Sequence, residues 1–218
     1  MKRIFIAFFV FFLFLKIQAN YPPLFWEKGR RIGLNIGYKH LSLNSGGFET
    51  GFIELSCFMN PTLAWEFTSK LEYGNNYLSF SPSGLIGLPF WIYSSSHGGD
   101  RDTNLFGALL SVASAKLPIK ACDWLEITPY WDLLKISKLY KSKKFMINGD
   151  VGMQIKIYPF CSCENMSTFF VSGFCLYNFA YKKSSTDYMY EPWAYQIKNY
   201  EKSPFYGYSL GTTVGCYF

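Results

Sequence analysis

Residues 206–218, YGYSLGTTVGCYF, separate into two sets when taken alternately. One set is Tyr206, Tyr208, Leu210, Thr212, Val214, Cys216 and Phe218; the other is Gly207, Ser209, Gly211, Thr213, Gly215 and Tyr217. Neighbouring side chains of a strand point to opposite faces, so a strand here has one apolar, aromatic-rich face and one face of small, weakly polar groups. That is the dyad of a β-barrel wall, apolar toward lipid and small or polar toward the lumen.

The same period of two recurs along the chain. Ile32, Leu34, Ile36, Tyr38, His40 and Ser42 alternate with Arg31, Gly33, Asn35, Gly37 and Lys39, and Leu63, Trp65, Phe67, Leu71 and Tyr73 oppose Ala64, Glu66, Thr68, Lys70 and Glu72. Leu125, Ile127, Trp131 and Leu133 oppose Glu126, Thr128, Tyr130 and Asp132; Ile147, Val151, Met153, Ile155 and Ile157 oppose Asn148, Asp150, Gly152, Gln154 and Lys156. Turn signals fall at Asn44-Ser45-Gly46-Gly47, Asn60-Pro61 and Gly74-Asn75-Asn76, and polar or proline-bearing stretches at 94–103, 117–122, 141–144, 159–167 and 182–203. The second strand is expected from Thr50 to Met59, and others over 104–116 and 168–181. Pro82-Ser83-Gly84 reads either as a turn between two strands or as a bulge in one. The first choice gives an all-β, up-and-down antiparallel barrel of ten strands, with every connection on its expected side; a barrel of eight, reached if other segments merge, is the alternative. Either interior is filled by side chains, so an open diffusion pore is not expected.

Composition agrees with a membrane wall of strands. Hydrophobic residues make up 50% of the chain and charged ones 17%, yet mean hydropathy is only +0.05. After the N-terminal segment no apolar run reaches the roughly 18 residues of a spanning helix. The 21% aromatic content, with 22 Phe and 17 Tyr, suits girdles at two interfaces. A secreted β-sandwich is the competing all-β reading. Met1-Lys2-Arg3, the apolar run Ile4 to Leu15 and Ile17-Gln18-Ala19 have the form of a cleaved signal peptide over 1–19, leaving one domain over 20–218. A net charge of +6 without a basic cluster beyond Lys141 to Lys144 gives no nucleic-acid footprint.

On these residues the C-terminal stretch resembles the closing strand of small bacterial outer-membrane β-barrels, in which a terminal aromatic, usually Phe, belongs to the assembly signal. The resemblance implies an outer-membrane location and, as partners, the barrel assembly machinery, membrane lipid and lipopolysaccharide. It implies no cofactor.

Three constellations carry chemistry. Of six cysteines in an exported chain, Cys122, Cys161 and Cys163 fall at one end of neighbouring strands, so a bridge from Cys122 to Cys161 or Cys163 is expected. Cys161-x-Cys163 as a metal site lacks further ligands, there being two histidines in the chain, and no metal is expected. His40 and Ser42 share a strand face, and a carboxylate on the next strand, Glu54, could orient the imidazole, which is the logic of an activated serine. This spacing resembles the outer-membrane lipid A 3-O-deacylases, eight-stranded barrels with an H-x-S and downstream Glu on the lipid-facing wall; the resemblance implies base, nucleophile and orienting acid for His40, Ser42 and Glu54. Leu43 stands where that family has Asn. The inward charges Glu66, Lys70, Glu72, Glu126, Asp132, Asp150 and Lys156 are of mixed sign and read as a lumenal salt-bridge network.

The main functional expectation is a structural or surface-interaction barrel. External loops would carry an extracellular ligand through His97 and Asp100 in one and Tyr190 and Trp193 in another. An acyl-ester hydrolase on the outer wall is the alternative.

Overall fold

The computed structural model describes residues 32–58, 66–85, 113–139, 145–163, 168–180 and 204–218. They form ten strand segments: β1 (Ile32–Leu43), β2 (Gly46–Phe58), β3 (Glu66–Gly74), β4 (Tyr77–Ser81), β5 (Ser114–Lys116), β6 (Ile119–Cys122), β7 (Leu125–Leu139), β8 (Phe145–Ile157), β9 (Phe169–Ala180) and β10 (Gly207–Tyr217). Every pairing is antiparallel, and β1 pairs β10, so the sheet closes on itself. Closure leaves no sheet edge, and strands of 11 to 15 residues such as β10 and β7 are long enough to cross a hydrocarbon layer when tilted.

The ten segments occupy eight positions around the wall. β4 and β5 both lie between β3 and β7: Lys70 pairs Ser81 and Phe80 pairs Ile136, while Glu66 pairs Lys116 and Lys116 pairs Tyr130. β6 continues β5 along β7, with Ile119 opposite Ile127 and Leu117 N–H donating to the Pro129 carbonyl at 2.9 Å; Pro118, which has no N–H, marks the break. The all-β closed barrel is as expected, but the ten strand segments are not ten wall-crossing strands, since β4, β5 and β6 share one position. Pro82-Ser83-Gly84 is not a turn at the barrel end. Ser83 to Leu85 leave the wall partway along β3, where the Leu85 N–H donates to the outward Ser69 hydroxyl at 2.7 Å. A Cβ on Gly84 would come 2.8 Å from the Thr68 carbonyl carbon, so only glycine permits that approach.

Local chemistry explains the boundaries. Leu43 pairs Gly46, which makes Asn44-Ser45 a two-residue turn and starts β2 at Gly46 rather than at the expected Thr50. Gly46 has a φ of +126°, a conformation costly for any residue with a Cβ. β7 runs five residues past the expected Leu134 because a register shift between Asp132 and Lys135 lets it resume its pairing. The shift also moves the inward set from Glu126, Thr128, Tyr130 and Asp132 to Lys135, Ser137 and Leu139.

Inside and outside are inverted relative to a soluble protein. Ile32, Leu34, Ile36, Ile53, Leu71, Ile147, Val151, Met153, Ile155, Ile157, Val171, Leu210 and Val214 are all exposed on the outer wall. The lumen buries five lysines (39, 70, 116, 135, 156) and six carboxylates (54, 66, 72, 126, 132, 150). An apolar plug of Leu41, Leu43, Tyr77, Leu139, Ala180 and Phe205 closes the upper end, which carries the Asn44-Ser45 turn. Tyr158, Phe170 and Tyr217 close the lower end, Phe170 stacking on Tyr217 with centroids 5.2 Å apart. Between the plugs, Glu72 receives Lys39 at 2.7 Å, Lys70 at 3.0 Å and Lys135 at 3.2 Å, and Asp150 receives Lys135 at 2.8 Å. Lower down Lys156 reaches Glu66 at 2.8 Å, Glu66 also accepts from the Tyr217 hydroxyl at 3.1 Å, and Tyr158 donates to Glu126 at 2.6 Å. All seven charges expected in the lumen are there.

Inward glycines on β1 and β10 make room for this filling. A Cβ on Gly37 would run into the Phe52 ring, which packs edge-on to Phe174 with centroids 5.7 Å apart. Among the described residues a lumenal cavity of about 20 Å³, lined by residues that include Glu54, Lys116, Tyr130 and Gln154, has room for a water or two.

Removing one partner of the network leaves a buried charge uncompensated. Glu72→Leu should lower unfolding stability by about 3–5 kcal/mol, whereas Val151→Leu on the outer wall should change it by less than about 0.5 kcal/mol; reversible urea unfolding in detergent or lipid, followed by tryptophan fluorescence, measures both.

Candidate functional site on the outer wall

β1, β2 and β10 place a polar cluster on the outer wall near the upper end. The two-residue turn sets the register in which His40 pairs Glu49 and Ser42 pairs Gly47. On the other side His40 faces Leu210 and Ser42 faces Tyr208. Tyr38, His40 and Ser42 are exposed at alternate positions of β1, sharing the face of Ile32, Leu34 and Ile36, as the sequence pattern requires.

The imidazole Nδ1 lies 2.6 Å from Glu49 Oε1, with the side chains 51% and 54% exposed. An ionised carboxylate only accepts hydrogen bonds, so Nδ1 carries the proton and donates. The Tyr38 hydroxyl also donates to Glu49. The other edge of the ring turns toward Gly47: a Cβ there would lie 3.4 Å from Cε1 and 3.9 Å from Nε2 of His40.

Glu54 does not join this cluster, which corrects the expected triad. β2 alternates, with Thr50, Phe52, Glu54 and Ser56 inward and buried, so Glu54 faces the lumen through the opposite side of the wall. There it accepts from Asn35 Nδ2 at 2.7 Å and pairs with Lys116. Glu49, at an odd position of the same strand, is the carboxylate that meets His40. Starting the second strand at Thr50 hides Glu49; pairing outward from an Asn44-Ser45 turn exposes it, because each step along β1 is then matched by one step along β2.

The expected disulfide is absent too: all six cysteines are free thiols. Cys122 pairs Leu125 in the tight β6–β7 hairpin, while Cys161 packs against the Tyr158, Phe170 and Tyr217 cluster at the lower plug and Cys163 is exposed in the following turn. Lying at one end of the barrel therefore does not bring them together. The signal segment and the loop residues His97, Asp100, Tyr190 and Trp193 lie outside the described residues. Among the described residues no group of three or more His, Cys, Asp or Glu is placed to hold a metal.

The two glutamates should separate in stability measurements. Glu54→Ala should lower the urea midpoint markedly through the unpaired Lys116 it leaves behind, and Glu49→Ala should leave it nearly unmoved. In a second test, protein denatured without reductant should accept six alkyl groups per chain by mass; a shortfall of two would mean a bridge.

No protein-family model matches the chain, and no curated protein matches it. Among solved structures it is similar to Neisserial surface protein A, at 8% identity and a TM-score of 0.44, over 87% of this chain and 97% of that one. It is also similar to Ail, the attachment invasion locus protein of Yersinia pestis, at 6% identity and a TM-score of 0.34, over 86% of this chain and 95% of that one.

Proposed function

We propose that this chain is an outer-membrane β-barrel whose role is structural or surface-interactive, with its binding done by loops at the upper, external end. The observation that carries the reading is the inversion of polarity: a continuous apolar outer wall around a lumen sealed by ion pairs and two plugs. Such a wall would aggregate in water and is stable in lipid. Its partners on this reading are membrane lipid, lipopolysaccharide and the machinery that inserts barrels.

The upper end supports a one-sided binding surface. Two of its connections are minimal, Asn44-Ser45 and Asn75-Asn76, and leave little chain to contact a ligand. The segment 181–203 is much longer, and its far end is held firmly: Phe205 is fully buried in the upper plug against Tyr77, and the Ser45 hydroxyl donates to the Pro204 carbonyl at 2.7 Å. A loop fixed at its base presents its own side chains at less entropic cost than a free one. Tyr190 and Trp193 are the proposed ligand contacts on this segment, and His97 and Asp100 those on the 86–112 segment, whose described flanks Ser81 and Ser114 lie partway along the wall.

An epitope inserted between Ser184 and Ser185 should bind antibody on intact cells, and one inserted at Ser162 should bind only after the outer membrane is permeabilised. The reverse pattern would invert the topology, and labelling of neither in intact or opened cells would remove the surface role. In planar bilayers the purified protein should give no stepwise conductance, since the described residues fill the lumen between the plugs with side chains and ion pairs.

A further inference from the structure

We propose that residues 86–112 dock as an arm on the outside of the barrel, seated within the membrane over a patch of wall formed by Phe67, Ser69, Ala115, Leu117 and Ile119. An anomaly of burial marks the patch. Along β3, Glu66, Thr68, Lys70 and Glu72 face the lumen, so Phe67 and Ser69 share the outward face of Leu71 and Tyr73. Leu71 and Tyr73 are 49% and 64% exposed, whereas Phe67 is 7% and Ser69 5% exposed. Ala115 is the cross-strand partner of Phe67 and Ile119 that of Ile127; with Leu117 they take the outward side of β5 and its continuation, and all three are buried. On β8 the outward Val151, Met153, Ile155 and Ile157 are nearly half exposed, as lipid-facing side chains of a bare wall are. A phenylalanine ring standing out from such a wall is shielded to this degree when further protein lies over it.

The chain supplies its own cover, because the stave breaks at the patch. Residues 86–112 leave from Leu85, whose N–H donates to the outward Ser69 hydroxyl at 2.7 Å and whose side chain is exposed. They return at Ala113, whose carbonyl accepts from the Leu133 N–H. Both ends are thus held partway along the wall, and the chain between them can run into the lumen or over the outer face. The lumen is occupied at that level: the Thr68 and Ser114 hydroxyls meet at 2.9 Å, Ser81 donates to Asp132, and Lys70 donates to the Tyr130 hydroxyl at 2.9 Å. The outer face is the course left open.

The sequence of the arm suits that course. Two apolar limbs, 86–93 (IGLPFWIY) and 105–112 (LFGALLSV), flank the polar stretch 94–104 (SSSHGGDRDTN). A limb of this length spans about 27 Å when extended, enough to carry the polar stretch from mid-wall out of a hydrocarbon layer about 30 Å thick. The limbs then meet apolar wall on one side and lipid on the other, and they shield Ser69, a polar side chain that is costly on a lipid-facing surface. His97 and Asp100 lie beside the barrel at headgroup level instead of over its mouth, so a ligand they contact is one held at the membrane surface. That last step rests on the proposed loop contacts; the seating of the arm does not.

The test is photo-crosslinking in the full chain, reconstituted in lipid vesicles and shown to be folded by its heat-dependent gel shift. Phe67 is replaced by the photoreactive analogue p-benzoylphenylalanine, with Leu71 replaced in the same way as the control on the same face. The expected result after irradiation is an intramolecular adduct joining position 67 to a peptide within 86–112, and lipid adducts at position 71. Replacing 86–112 by a Gly-Ser linker should abolish the first adduct and leave position 67 reacting with lipid as position 71 does. Reaction of position 67 with lipid in the full chain would overturn the proposal. So would an adduct to residues 59–65, which would assign the cover to the lower rim, or an adduct of twice the chain mass, which would assign it to a second copy. Should the analogue at 67 prevent folding, the same replacement of Leu117 gives the same reading. None of these results bears on whether the 182–203 loop faces outward.

Discussion

The lumenal ion pairs are the interaction on which the remaining structure depends. Among the described residues eleven lysine and carboxylate side chains lie in the barrel interior, and taking each from water costs several kcal/mol unless it is paired and hydrogen-bonded. Glu72 meets that requirement by gathering three lysines, and Asp150 by sharing one of them. The Tyr130 hydroxyl accepts from Lys70 at 2.9 Å and donates on toward Asp132, so the hydroxyls link one ion pair to the next. A soluble domain draws its uniqueness from apolar packing in the core. Here the apolar surface faces outward, where lipid is nearly indifferent to which hydrocarbon it meets, and register is specified by which charge meets which across the lumen.

That arrangement also explains why function has to be sought at the wall and rims. Among the described residues the two plugs and the crossing network fill the lumen, with a small cavity between Glu54, Lys116, Tyr130 and Gln154. Lysines over aromatic faces, such as Lys156 over Tyr217 at 5.0 Å, fasten the lower plug to the network. On the outer wall Glu49 and His40, near the upper end, break the apolar run with a carboxylate and an imidazole. Polar side chains on a lipid-facing surface are costly toward the midplane and tolerated toward the interface, and Glu49 with His40 stands three to four residues below the turn.

Much of the fold was legible in the sequence because a barrel wall writes its two faces into a period of two. The alternation over 147–157 and 206–218 gave both strands and the inward set to the residue, and the lumenal charges followed from it. Three things were hidden for physical reasons. A stave broken by a long excursion keeps no continuous pattern, so Tyr77–Ser81 and Ser114–Lys116 read as parts of separate strands. A bulge in β7 reverses parity partway, which conceals that the strand continues to Leu139. The third is register: alternation tells which face a side chain takes and says nothing of its neighbour across the ladder. A next strand beginning at Thr50 offers Glu54 to His40, whereas a two-residue turn at Asn44-Ser45 gives Glu49.

The inverted wall is most directly tested by spin labels placed one at a time at residues 150–157 of β8, in a variant lacking the native cysteines and reconstituted in lipid vesicles. Labels at 151, 153, 155 and 157 should collide readily with dissolved oxygen and hardly with a water-soluble nickel chelate, and labels at 150, 152, 154 and 156 should be shielded from both. Oxygen accessibility without a two-residue period, or chelate access at the inward positions, would contradict a sealed barrel with a lipid-facing apolar exterior.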